Sequence, residues 1–589
     1  ILTSTGLQAG VVRHDVVVAP SEVVLEQVES GLLSVSMDRA VTTNYLGFPE
    51  IPYRVLSILI PQGEEVVSVR LEGVRTVELS DMAEMVLFEG EYLDDGTRRG
   101  ISAESSEILM GGSAFPALKV RHLGTRSFRG YSIASIAVYP VRYDMSSGLL
   151  TLDTDMQLVV ETAVDLSGSD IVERERYVKG FRERAKKEVE SMVVNPSGAS
   201  SYSFNEIAVA DGDRGFVPSY LPSMEGSEVN YLIISSTEME PAFQTFAEWK
   251  TKKGVPAVVK TVDWIMGNYW HGADLAETIR NFIAEAYAKW GVEYVLLAGD
   301  TEIIPARYGY VSFYTGDFLP TDMYYSCLDG TWNADGDSIW GEAYHNTSDP
   351  GDEVDLYSEV YIGRMPVSTL SEANIMVNKS MDHELPKDFP SKRKYVLLGE
   401  VIFPTIWSPG QTVILDGAEI LEDVYSPYLA GNPDIDPVRL YQTDYDYPGS
   451  LPLSEESAID TLDNGANHVI HAGHGYKYNM SVGVGSILNY DANNLTNGDK
   501  TFSMYLMNCT NVAFDTDCLA EYFLLNSNGG AFAVTGSSRS AFPSTSRPYL
   551  DNYYYQLFDH DIVQLGKLYT KSREPFTPGA SAETADRWT

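Results

Sequence analysis

Two apolar runs in this chain each end at one side chain able to do chemistry: Asn467 to Gly475 carries His474, and Phe502 to Thr510 carries Cys509. A free thiol titrates near about 8.5 and is mostly unreactive at neutral pH, so a nucleophilic cysteine needs a base or a positive field beside it. Histidine is the natural supplier, because its unperturbed pKa lies near the operating pH. Together the two groups are suited to acyl transfer through a thioester. Gly475 lets the backbone approach a reacting carbonyl, and its N–H with that of Cys509 would form a two-donor oxyanion hole.

These residues meet only if both runs are short buried strands in one sheet. The connection between them is long enough for a crossover, which makes the strands parallel. Neighbouring strands lie about 4.8 Å apart, and open α/β sheets bind ligands beyond the carboxyl ends of their strands. His474 and Cys509 would then share one crevice, the layout of a cysteine peptidase. His468 and His471 lie within the same run rather than at its end, and both read as structural.

The surrounding sequence supplies such a sheet. From Asn230 onward strands and helices alternate: Tyr231 to Ser235, a helix over 273–290 with Leu275, Ile279, Phe282, Ile283, Ala286, Tyr287 and Trp290 on one face, Glu293 to Asp300, Val360 to Arg364, Lys394 to Glu400 and Gly530 to Thr535. That pattern predicts a mostly parallel sheet flanked by helices. Residues 1–165 alternate apolar and polar positions in short runs, as in Tyr53 to Ile60 and Glu64 to Leu71, and predict an all-β sandwich. Residues 166–225 read as a charged, partly helical linker with an exposed solvated helix, the place for an activation cut. The α/β part divides into 226–380 and 381–589, the latter carrying both reactive residues.

Composition excludes some functions. The net charge of -41 argues against nucleic acid as a partner, and no window approaches the ~18 apolar residues of a membrane span. Three cysteines, Cys327, Cys509 and Cys518, are too few and scattered for a disulfide framework or a four-cysteine zinc site. Ile1 is followed by no charged-then-apolar leader, which suits a chain whose signal segment has been removed.

Several stretches taken in order over some 300 residues carry a resemblance: Phe246 to Gly254, Glu293 to Asp300, Glu359 to Pro366, His471 to Gly475, Met507 to Asn511 with Cys518 to Glu521, and Gly529 to Ser537. The set resembles the gingipain family of cysteine peptidases, which share a caspase-like fold. Gly47 to Pro52, Ile60 to Gly63 and Tyr139 to Tyr143 are similar to that family's propeptide, so the resemblance implies a proenzyme. It places the nucleophile on Cys509, the general base and acid on His474, and an acid that orients the imidazole on Glu400. It implies protein or peptide substrates, the prodomain as inhibitor, a secreted or cell-surface location, and calcium.

Substrate preference is open between two charges. The family's best-known members cut after Arg or Lys, using an acid in the pocket, whereas Arg539 stands near the matching loop here. With Ser537 and Ser538 beside it, Arg539 would pair with a carboxylate and predict cleavage after Asp or Glu. Asp416, Glu419 or Asp551 would instead supply a pocket for a basic residue. For calcium, the run from Asp329 to Glu342 places oxygen ligands at alternate positions around a glycine. Asp329, Asn333, Asp335, Asp337, Ile339 and Glu342 form the expected set, with Asp300 or Asp355 contributing.

The resulting expectation is a calcium-stabilised cysteine endopeptidase zymogen. The activation cut would fall at Arg182, Arg184, Lys186 or Lys187 for a trypsin-like partner, or at Glu183 or Glu188 by self-cleavage. Rival readings are an inactive caspase-like adhesion or scaffold protein and a transpeptidase.

Overall fold

The computed structural model describes residues 10–579, apart from 29–30, 39, 93–97, 100–111, 167–170, 210–215, 217–219, 270, 312–316, 343–351, 353 and 387–389. The N-terminal part is an all-β sandwich. One sheet is built on the long strand Leu149–Val164, flanked by Gly10–Val17, Glu64–Ser80 and Val141–Asp144, with Ala114–Phe115 at its edge; the other orders Val120–Phe128, Tyr131–Val138, Pro52–Leu59 and Val41–Thr42. Ile58, Ile136, Val138, Leu152, Leu158 and Val160 fill the space between them.

Tyr131–Val138 is buried at every position, which a strand achieves only if both its faces are covered. Ala134, Ile136 and Val138 point into the sandwich core. Tyr131 and Ile133, on the opposite face, join a different core built from Leu232, Ile234, Val295 and Leu297 of the α/β unit. Phe128, at the hairpin before this strand, belongs to that second core with no exposed surface. Its ring centroid lies 5.4 Å from that of Tyr357. Phe128→Ala is therefore expected to cost about 3–5 kcal/mol, measured as a lower denaturant midpoint with earlier proteolysis of the N-terminal domain.

The segment expected to be a solvated linker helix is packed instead. Phe181–Met192 is helical, and Phe181, Ala185 and Val189, spaced four apart on one face, are buried in the core shared with the sandwich and the α/β unit. Its charged residues occupy the other faces. Upstream, Arg174 donates to the carbonyls of Gly291 (3.3 Å) and Val292 (2.7 Å), and Arg176 to that of Lys289 (2.7 Å). Both place positive charge at the C-terminal end of the helix Leu275–Trp290, where the dipole favours it. Arg182, Glu183, Arg184, Lys186, Lys187 and Glu188 all lie in the packed helix, so a cut there requires it to unwind.

The α/β part contains two parallel sheets, not one. The first orders Ala257–Thr261, Tyr231–Ser235, Tyr294–Ala298 and Tyr361–Met365. The second orders Leu451–Pro452, Asp436–Tyr441, Lys394–Gly399, His468–Ala472, Phe502–Met507 and Ala531–Gly536. The helix Leu370–Glu384 joins them: Met376 and Val377 pack with Ile233 and Leu296 of the first sheet and with Leu524 beside the second. Lys379 of this helix donates to the carbonyls of Phe523 (3.2 Å), Leu524 (2.6 Å) and Ala531 (3.3 Å). The expected helix over 273–290 is Leu275–Trp290, opened by Asp274, which accepts from Glu277 N–H, and closed by Gly291 at φ 89°. Two helices, Pro543–Phe558 and Leu565–Arg573, complete the chain's described end with the turn Glu574–Gly579.

Candidate active site

His468–Ala472 and Phe502–Met507 are adjacent and parallel, with Ala472 opposite Met507. His474 and Cys509 each follow the last paired residue of their strand by two positions, so the register brings them to the same rim. Gly473 N–H reaches Met507 O at 3.3 Å. At Gly475 an added Cβ would lie 2.8 Å from Cys509 O and 2.7 Å from Asn508 Cγ. Only glycine allows this approach of the two strand ends.

The histidine is held at ring and main chain separately. Its Nε2 lies 2.7 Å from Ile402 O. A carbonyl can only accept, so Nε2 carries the proton and Nδ1 carries the lone pair. Phe403 meets the ring edge to face at 5.9 Å between centroids. Ser481 N–H donates to His474 O at 3.0 Å, and Gly475 stands opposite Met480 in the same antiparallel hairpin. Hydrogen-bonded and non-bonded pairs alternate in such a ladder, which leaves Gly475 N–H outside it.

Glu400 differs from its expected role. Its Oε2 accepts His474 main-chain N–H at 2.8 Å and its Oε1 accepts Ser481 Oγ–H. It therefore pins the loop that carries the imidazole, while the Ile402 carbonyl takes the orienting bond to the ring. The reason is reach: Glu400 leaves its strand directly beneath His474, as Gly473 shows, whose added Cβ would lie 2.7 Å from Glu400 Oε2. Burial raises the Glu400 pKa, partly offset by Ser481 and the His474 N–H. Glu400→Ala is expected to strand the part-buried His474 N–H at about 1 kcal/mol of stability and to lower kcat/KM by about 10–100-fold. Peptide kinetics with thermal denaturation on the same preparation would check both.

Cys509 is buried, and Ala541 N–H points at its Sγ at 3.3 Å. Ala541 O lies 3.5 Å from the same sulfur and accepts from the thiol, so Ala541 holds Cys509 from both sides. Thr510 follows at φ 61°, a left-handed conformation that few non-glycine residues adopt. It is held by Thr510 N–H donating to Arg539 O at 2.9 Å. Asn508 and Asn511, not singled out from the sequence, tie this turn to the histidine side. Asn508 Nδ2 donates to His471 Nδ1 (3.0 Å) and Asn511 Oδ1 (2.6 Å), and Asn511 Nδ2 to Asn479 O (2.7 Å). His471 Nε2 in turn meets Ser481 O at 2.7 Å, and burial depresses its pKa to about 4, so it serves as a neutral strut.

The sequence profile of peptidase family C25 matches residues 225–589, more than half of the chain and all of the α/β unit. The chain belongs to peptidase family C25. Lys-gingipain of Porphyromonas gingivalis is 23% identical over 562 residues, covering 89% of this chain and 27% of the relative. The chain thus spans about a quarter of the length of the curated relatives it matches. Among solved structures, the Arg-specific cysteine proteinase gingipain R is similar at TM-score 0.45 and 18% identity, over 63% of this chain and 78% of that one. A complex of the pro- and mature domains of RgpB from Porphyromonas gingivalis is similar at TM-score 0.44 and 18% identity, over 61% and 77%.

In this C25 chain the residues expected to choose the substrate are occupied. Arg539 forms two parallel bonds with Asp515, Nη1 to Oδ1 at 2.9 Å and Nη2 to Oδ2 at 2.7 Å, and that neutralised fork has no charge left for a substrate carboxylate. Asp416 caps the helix Gly417–Val424 through Ala418 N–H at 2.9 Å and accepts Thr443 Oγ–H at 2.7 Å, so its carboxylate is already engaged in the fold. Ser537 Oγ–H bonds Arg539 O at 2.8 Å, and Ser538 Oγ–H reaches Pro320 O at 3.2 Å.

The expected calcium set divides into three places. Carboxylate oxygens of Asp335, Asp337 and Glu342 lie within 4.8 Å of one another at the surface. Asn333 turns its amide to Asp337 O at 3.1 Å, and Ile339 donates its N–H to Asp337 Oδ1 at 2.6 Å. Asp329 is elsewhere, fully enclosed with Asp355 and Glu359. Burial, then the neighbouring carboxylates, push Asp329 up to about 7 and Glu359 well above its usual value, and burial takes Asp355 to about 6. Asp300 belongs to a third group with Glu302, Asp517 and Glu521. The chain turns sharply between Asp329 and Asn333, with Trp332 at φ 62°, and this separates residues that are close in sequence.

Proposed function

We propose that this chain is a cysteine endopeptidase made as a latent precursor, secreted or held at the cell surface. The observation that carries the proposal is the shared rim of two adjacent parallel strands, where Gly475 brings His474 and Cys509 together in a chain of family C25. In the reaction, Cys509 Sγ attacks the scissile carbonyl as its proton passes to His474 Nδ1. The Ile402 carbonyl, holding Nε2–H, stabilises the imidazolium that forms. Gly475 and Cys509 N–H groups receive the oxyanion, and one such donor is worth about 3 kcal/mol in the transition state. Collapse breaks the C–N bond, His474 gives its proton to the leaving amine, and a thioester remains. Water, deprotonated by His474, attacks the thioester, and the thiol leaves with the acid product.

A calcium ion fits the enclosed acid group better than the surface one. Asp329 Oδ2 and Glu359 Oε1 are buried with no hydrogen-bond partner, a costly state that a hard divalent cation relieves. Asp329, Asp355 and Glu359 would hold it, and its part would be structural. Asp355 Oδ2 also accepts Ser127 N–H of the sandwich at 2.6 Å, so the same ion would steady the docking of the N-terminal domain. Latency is the role that fits that domain: it is docked through the Phe128 hairpin and Arg129, whose guanidinium meets Tyr361 OH at 3.1 Å and Glu188 at 3.1 Å. No helix among the described residues is long and apolar enough to cross a membrane.

A peptide carrying a thiol-directed electrophile, incubated with the calcium-loaded chain after limited proteolysis, should add covalently to Cys509 and not to Cys327 or Cys518. Loss of that labelling in His474→Ala with retained folding is the expected control. An intact, unlabelled Cys509 would support a scaffold instead, and transfer of the acyl group to an added amine in preference to water would support a transpeptidase.

A further inference from the structure

A cavity of about 110 Å³ lies between the ends of Phe502–Met507 and Ala531–Gly536 and the two C-terminal helices. By that measure a single water needs about 10–15 Å³, so there is room for a side chain. Its wall includes Asn508 and Ala541, one bonded in sequence to Cys509 and the other in contact with its sulfur through both N and O, at 3.3 and 3.5 Å. Gly536 and Ser540 at its rim are exposed. The side chain preceding a scissile bond held at Cys509 would enter here.

Arg573 forms part of that wall and is only 4% exposed. Its Nη1 donates to Leu356 O at 2.9 Å and its Nη2 to Ser358 Oγ at 2.7 Å. Both acceptors are neutral, and Nε is buried with no partner. A buried cation without a carboxylate is expensive, and an anion delivered to it recovers part of that cost. Tyr549 and Tyr569 line the same space, with burial raising the pKa of both, so both phenols remain protonated donors. The residues lining the cavity thus offer positive charge and O–H donors and no acid, while Asp551 and Asp322 stand farther back, near enough to act on Tyr505 and Tyr569.

We propose that this cavity receives an Asp or Glu side chain of the substrate, and that Arg573 is the residue that selects it. The assignment rests on the peptidase reading above. It restores the preference for an acidic residue on a different arginine from the one the sequence suggested.

The test uses the activated full chain and peptides that differ only in the residue before the scissile bond: Glu, Asp, Gln, Lys or Arg. Cleavage after Glu or Asp should exceed that after Gln by about 100-fold in kcat/KM, because a site built for a charged partner rejects its neutral analogue. Since Arg573 also clamps Leu356 and Ser358, its own replacement endangers folding. Thr545→Asp is the better variant: position 545 lines the cavity in the first turn of its helix, where an acid suits the dipole. The new carboxylate should neutralise Arg573 and reduce the Glu-to-Gln ratio at least tenfold. Equal or better cleavage after Gln, Lys or Arg, or an unchanged ratio in Thr545→Asp, overturns the assignment while leaving the peptidase reading in place. No cleavage of any peptide together with no alkylation of Cys509 by iodoacetamide removes both.

Discussion

Cys509→Ala is expected to lower kcat/KM for peptide hydrolysis by about 10⁴-fold or more while leaving the thermal midpoint nearly unchanged. The large effect follows from covalent chemistry: without the sulfur no thioester forms, and what survives comes from binding and the oxyanion donors alone. The small effect on folding follows from the size of the change, one buried sulfur at the end of a strand whose hydrogen bonds are made by the main chain. His474→Ala should fall to a similar level, and the double variant should be no worse than either, because the two groups act as one unit. Activity that survives Cys509→Ala within tenfold would reject the nucleophile.

Chelation of calcium is expected to destabilise the chain by about 3–4 kcal/mol relative to a solution holding the ion at 100 to 1,000 times its dissociation constant. A variant is more telling than the size. In Asp355→Asn one of the three buried carboxylates that would hold the ion becomes neutral, and the attraction of Arg126 and Arg280 for it is lost as well, so the calcium-dependent shift should shrink by at least half. With calcium present the variant should melt below the parent, because a ligand charge is gone. Asp337→Asn, at the surface group, should leave the calcium-dependent shift intact. Differential scanning calorimetry with and without chelator reads all four conditions. A shift abolished by Asp337→Asn and untouched by Asp355→Asn would move the ion to the surface loop.

What was legible in the sequence shows where local rules suffice. The strand runs ending at His474 and Cys509 were apolar, short and separated by a crossover length, and sheet physics leaves such strands few arrangements other than parallel neighbours. Glycine at 475 was expected to admit a reacting carbonyl, and in the structure it also lets the main chain at Cys509 come close. The helix Leu275–Trp290 announced its buried face by spacing alone.

The specificity and metal expectations fared differently, because they depended on which charges would pair across the fold. Arg539 lies 24 residues from Asp515, and no pattern in either neighbourhood shows that they form a fork. Asp416 reads as a free acid until the helix behind it is seen to need a cap. The packed helix Phe181–Met192 is a related case: the charge on most of its faces gives the segment the pattern of a solvated helix, and only its partner surface shows that Phe181, Ala185 and Val189 form a buried stripe.

The sequence by itself determined the layered α/β and all-β parts of this protein and the pair of strand ends that carry His474 and Cys509, because periodicity and strand register are short-range properties. Only the tertiary structure decided that Ile402 rather than Glu400 holds the imidazole, that Asp329 joins Asp355 and Glu359 instead of its neighbours in the loop, and that Arg573 lines the cavity beside the sulfur. Each of those depends on groups distant in the chain competing for the same partner, and burial sets the outcome by making an unpaired charge too costly to leave alone.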